Sequence, residues 1–130
     1  MAQHVIPLDQ LGLHDIEIVG GKNASLGEML THLTKAGVRV PGGFATTANA
    51  FHDFLNASQL TERIDTLLDD LDANDLQQLA STGATIRAWI QAAPLPTNFE
   101  QSIAVAWSEL SSGQPDDFSV AVRSSATAED

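Results

Sequence analysis

The chain has 130 residues, with six Lys and Arg against seventeen Asp and Glu for a net charge of −11, and no cysteine. That length suffices for one domain, or part of one, with a real core, while the acidic balance repels nucleic acid and anionic lipid, so an anionic ligand has to be held by a few local cations. Lack of cysteine excludes a disulfide framework and a thiolate metal site, and no apolar run approaches the ~20 residues of a membrane span or follows a basic leader, so the expectation is a soluble cytoplasmic protein.

Val5 to Leu8 and Ile16 to Val19 are short apolar or alternating runs bounded by Pro, Asp and Gly, the pattern of two strands. After "GGK" the apolar positions Leu26, Met29, Leu30 and Leu33 fall at helical spacing and Gly37 stops them, so the expected unit is strand, glycine turn, helix. "VRVPGGFATT" reads as an extended segment broken at Pro41-Gly42-Gly43, with Thr46 or Thr47 capping a helix through about Leu55.

Three amphipathic helices follow. Leu60, Ile64, Leu67, Leu68 and Leu71 form one apolar face; Leu76, Leu79, Gly83, Ile86 and Ile90 come after an Asn74-Asp75 start; Phe99, Ile103, Ala106 and Leu110 come after Pro96-Thr97. Trp89 and Trp107 lie in these helices as packing residues. Phe118, Val120 and Val122 alternate with Ser119, Ala121 and Arg123, the signature of a half-buried strand, and "SSATAED" follows as a loop. The fold class these elements imply is α+β, several helices with a small mixed sheet.

Two cations could hold an anion. Lys22 follows Gly20-Gly21 and opens a helix, where backbone N–H groups and the positive end of the helix dipole favour phosphate. The stretch is no Walker A loop, because Asn23 follows the lysine and the upstream glycine is missing; the plain alternative is a solvated surface lysine. Arg123 closes a strand beside a loop of small residues, and a guanidinium pairs bidentately with phosphate; its plain alternative is an ion pair with one of the acids. His4, His14, His32 and His52 show no metal-ligand spacing, and "TLLDDLDAND" lacks the spacing of a calcium loop.

"VGGKNASLGEM", "AGVRVPGGFATTANAFHDFL", "STGATIRAWI" and "FSVAVRSSATAED", in this order, closely resemble the N-terminal nucleotide-binding region of the phosphoenolpyruvate synthases, from about Leu8 to Asp130. Pyruvate phosphate dikinase, rifampicin phosphotransferase and the glucan water dikinases share the looser pattern of a glycine-lysine turn and a "VRS" strand end. The resemblance implies that residues 1–130 are the N-terminal portion of an ATP-grasp domain. In the intact enzyme it would phosphorylate a histidine on a swivelling domain, which carries the phosphoryl group to pyruvate in a barrel domain. The overall reaction would turn pyruvate, ATP and water into phosphoenolpyruvate, AMP and phosphate, with Mg2+, in gluconeogenesis.

By the same resemblance Lys22 and Arg123 contact the ATP phosphates, with Ser124, Ser125 and Thr127 as further candidate donors. No catalytic residue and no metal ligand is expected among these residues: the phosphorylated histidine, the Mg2+ ligands, the rest of the ATP-grasp fold and the barrel are missing from them, and the chain alone is expected to be inactive. The intact enzyme is expected to be a homo-oligomer. A dikinase using phosphate in place of water is the nearest alternative, and an acidic helical interaction module with no nucleotide site is an alternative of another class.

Overall fold

The order of elements follows from how the first strand finds its partner. In the computed structural model, which describes residues 3–128, β1 (Val5–Pro7) pairs antiparallel with β2 (Phe44–Thr46), in the register Val5↔Thr46, Ile6↔Ala45 and Pro7↔Phe44. The ladder is extended by Leu8 N–H donating to the Gly43 carbonyl (2.9 Å) and Thr47 N–H donating to the His4 carbonyl (3.0 Å). Among the described residues this is the one sheet, and it is antiparallel rather than mixed.

The described residues divide into two units. The first comprises the residues up to Phe51 and those from Thr97 onward; the second is His52–Pro96. In the first, β1 leads through a 3-10 turn (Leu8–Gln10) to Leu11, then through a second 3-10 turn (Leu13–Asp15) into α1 (Ile16–Val19), Gly20 and α2 (Gly21–Lys35). Leu11, Val19, Ala24 and Ala45 are buried together, with Ile6 and Leu8 packed on them. Small residues at the centre let chain segments approach closely. α6 (Thr97–Ser111) packs on β1, with the Phe99 ring edge-on to His4 at 5.4 Å between centroids.

α3 (Ala48–Ala57) starts at Thr47, whose hydroxyl accepts from Ala50 N–H (3.1 Å) and donates to the Gln3 carbonyl (2.7 Å). Of the two threonines expected as caps, the buried one does the work. In the second unit α4 (Leu60–Asp69) packs on α5 (Leu76–Ala92), with Leu60 almost wholly buried and the Arg63 guanidinium 4.1 Å from the centre of a Trp89 ring. The expected Asp75 start is a side-chain cap, its Oδ1 accepting from Gln77 and Gln78 N–H (3.1 Å each).

Two expected strands are corrected. Ile16–Val19 is a helical turn: Asp15 closes a 3-10 turn back onto Gly12 (Asp15 N–H to Gly12 carbonyl, 3.0 Å; Gly12 N–H to Asp15 Oδ2, 3.0 Å), and that sense of winding continues until Gly20 N–H meets the Ile16 carbonyl at 2.8 Å. The buried side chain of the run is Val19, while Ile16 and Ile18, which strand alternation would have put on the inner face, are exposed. The Phe118 to Val122 segment forms no regular element. Phe118 is half-buried against Trp107 (5.8 Å between centroids), but Val120 and Val122 are exposed, the latter at 91%. A strand exists only through a ladder with a neighbour, and no described strand lies alongside to provide one.

Candidate phosphate-binding turn

Gly20 adopts φ 86° and ψ 164°, a region open in practice to glycine alone, and this one residue turns the chain from α1 into α2. Asn23 braces the corner by donating its side-chain Nδ2–H to the Val19 carbonyl (3.0 Å), and Ala24 N–H begins the helix by donating to the Gly20 carbonyl (3.0 Å). The first N–H groups of a helix have no intrahelical partner and carry its positive partial charge. Here Gly21 N–H donates to the Ala126 carbonyl (3.2 Å) and Asn23 N–H to Ser125 Oγ (3.4 Å).

The loop after Arg123 therefore lies on the glycine turn. Lys22, the second residue of α2, and Arg123 are both exposed, as are Ser124 and Thr127, whereas Ser125 is half-buried. Arg123 is two residues from Ser125, so its backbone lies within about 7 Å of the residue that touches Asn23. The structure thus gathers the backbones of Lys22, Arg123, Ser124, Ser125 and Thr127 at one end of α2. The chemistry available there is that of an anion site: one ammonium, one guanidinium, hydroxyls and the positive end of a 15-residue helix.

Two further residues hold the neighbourhood in place and carried no distinct signal in the sequence. Gly27 sits where α2 crosses Leu11: a Cβ there would be 2.5 Å from the Leu11 carbonyl oxygen and 2.6 Å from its Cβ. Glu28 accepts from Leu13 N–H (3.0 Å) and pairs with His32 Nε2 (2.9 Å). Those bonds, the Leu13 N–H first and His32 next, hold its carboxyl below the ordinary glutamate value. Only the "G-E" of "SLGEM" hinted at either, as a helical glycine facing a neighbour and a carboxylate one residue on.

The histidines stay out of any metal cluster: His14 lies 3.3 Å from Asp15, His32 pairs with Glu28, and among the described residues no group of three His, Asp or Glu could hold an ion. No described helix is long and apolar enough to cross a membrane.

Residues 16–130 match the family described as pyruvate phosphate dikinase, AMP/ATP-binding domain, a span that includes the glycine turn and the loop that packs on it. The chain belongs to that family. Among curated proteins it is 55% identical over 130 residues to phosphoenolpyruvate synthase of Pseudomonas aeruginosa, which covers all of this chain and 16% of the relative. It is 52% identical over 126 residues to the phosphoenolpyruvate synthase of Escherichia coli, covering 97% of this chain and 16% of the relative. Against that of Deinococcus radiodurans it is 52% identical over 124 residues, 95% of this chain and 15% of the relative. The chain therefore spans about one sixth of the length of the relatives it matches.

Proposed function

We propose that the chain is the leading part of the ATP-binding domain of a phosphoenolpyruvate synthase. The observation that carries this is the 55% identity, over the whole chain, to a protein of that name, combined with a match to an AMP/ATP-binding family over residues 16–130. The domain is of ATP-grasp type, and the intact protein turns pyruvate, ATP and water into phosphoenolpyruvate, AMP and phosphate through a phosphohistidine on a swivelling domain. It works in the cytoplasm as a homo-oligomer.

Within this reading Lys22 and Arg123 bind the ATP phosphates from the two sides of the glycine turn. Phosphoryl transfer is mainly positioning and charge neutralisation, so both residues act as electrostatic stabilisers and move no proton. Magnesium would supply further neutralisation of the triphosphate, and its ligands are assigned to the rest of the protein. Ser124 and Thr127, exposed in the loop after Arg123, are assigned as further donors to phosphate oxygens, since each hydroxyl can donate one hydrogen bond.

The test uses the intact protein that carries this sequence. Lys22→Ala and Arg123→Ala should each lower ATP-dependent labelling of the histidine by at least ten- to a hundredfold, since each removes a charge-assisted hydrogen bond worth roughly 1.5–3 kcal/mol. Exchange between pyruvate and phosphoenolpyruvate on the already phosphorylated histidine should persist in both. Undiminished labelling by ATP in both variants would overturn the reading.

A further inference from the structure

Ser125 meets Gly20 more closely than a residue bearing a Cβ at position 20 would allow. A Cβ on Gly20 would run into Ser125 Oγ and lie 2.9 Å from both Ser125 C and Ala126 N. The same hydroxyl takes the Asn23 N–H, from 102 positions away in the sequence, while Ala126 takes the Gly21 N–H. Ser125 is half-buried where its neighbours Ser124 and Thr127 are exposed. Its oxygen is directed at the start of α2, and Asn23, which it holds, is the residue after Lys22.

We propose that Ser125 is a positioning residue: its hydroxyl, admitted by the bare Cα of Gly20, clasps the loop onto the first turn of α2 and so fixes Lys22 relative to Arg123. The proposal rests on the reading of those two cations as phosphate contacts, and it gives Ser125 a role toward the helix in place of direct contact with the ligand. Two cations on segments distant in sequence can share one triphosphate only if something sets their spacing. A misplacement of about 1 Å is enough to lose much of the benefit. The clasp joins those segments, beside the Gly21 N–H bond to the Ala126 carbonyl.

The experiment is a double-mutant cycle on ATP affinity in the intact protein, using Ser125→Ala, Lys22→Ala and the pair, with amide exchange measured on the same samples. Ser125→Ala should weaken ATP binding about three- to tenfold when Lys22 is present and by less than about twofold when it is absent, because the effect passes through Lys22. The Asn23 amide should exchange faster in Ser125→Ala without a change in Tm. Gly20→Ala should weaken binding at least as much, since its Cβ occupies the place of the hydroxyl.

An equal loss in both backgrounds would mean that the hydroxyl binds phosphate itself and would overturn the proposal, as would no loss. Unchanged exchange at Asn23 would overturn the clasp. If Lys22→Ala alone left ATP affinity intact, the phosphate reading and the positioning role would both fall, and faster exchange at Asn23 would then identify the clasp as a purely structural contact.

Discussion

Two glycines, each inside a helix, show how differently the same residue type can be used. Gly27 of α2 leaves the room that Leu11 fills, with backbone and Cβ atoms at 2.5–2.8 Å from where its own Cβ would stand. Gly83 of α5 faces only the tip of Arg87, whose Nη1 would be 3.2 Å away and can swing aside. Alanine gains about 1 kcal/mol over glycine in a helix interior, while forcing a methyl into a packed contact costs typically 1–3 kcal/mol. Gly83→Ala is therefore expected to stabilise α5 by up to about 1 kcal/mol, and Gly27→Ala to destabilise α2 by up to about 2 kcal/mol net. Native-state amide exchange of the two helices reads each separately. Slower exchange of α2 amides in Gly27→Ala would show that Leu11 yields without cost.

At the scale of elements, the attachment of the Leu13–Asp15 turn to α2 runs through one carboxylate. Glu28 accepts the Leu13 N–H and pairs with His32, His14 acts on it electrostatically, and its carboxyl is held below its ordinary value of 4.5. A depressed folded value means that the unfolded chain binds the proton more readily. The contribution is thus complete above about pH 4.5 and is lost as pH falls through the folded value. Protection of the Leu13 amide is expected to fall on acidification in the native sequence. In Glu28→Gln, where the acceptor oxygen remains but cannot titrate, that protection should be independent of pH. Identical pH profiles for the two would remove Glu28 as the cause.

The same scale shows what the sequence could and could not disclose. Helices α2, α4, α5 and α6 were legible because each carries a sustained period of apolar residues and a local stop or start, such as Gly37 at φ 82° or the Asp75 cap. Ile16–Val19 was not, since four residues fit a period of two or of 3.6 equally well and the decision lay with the Asp15 turn before it. The alternation of Phe118 to Val122 states which side chains would share a face, but a ladder also needs a neighbour, and that information lies outside the segment. Lys22 and Arg123 were legible as cations beside small-residue loops. The contact that joins their segments, Gly20 to Ser125, was not, because nothing in either stretch points to the other across about a hundred positions.

For the whole molecule the question is whether an anion would be drawn by net charge or by place. Net charge opposes it: at −11 the chain repels a triphosphate at long range. Its second unit contains Arg63 and Arg87 as its only Lys or Arg, the first of them engaged with Trp89. The first unit holds Lys22, Lys35, Arg39 and Arg123. Lys22 and Lys35 stand at opposite ends of α2, about 20 Å apart at 1.5 Å per residue, Lys22 at the positive end of the dipole and Lys35 at the negative end. Replacing either by alanine changes the net charge by the same amount. At physiological ionic strength the Debye length is about 8 Å, so a charge 20 Å from the phosphates contributes little, while one in contact with them keeps its effect. Lys35→Ala is expected to leave ATP affinity within about twofold of the native protein, against a loss of at least tenfold for Lys22→Ala. Lowering the salt to 0.01 M lengthens the screening distance to about 30 Å and should widen the effect of Lys35→Ala while leaving the order of the two unchanged. Calorimetric titration of the intact protein with ATP at both salt concentrations makes the comparison. Equal losses for the two lysines would show that affinity follows net charge, and the anion site at the Gly20 turn would have to be given up.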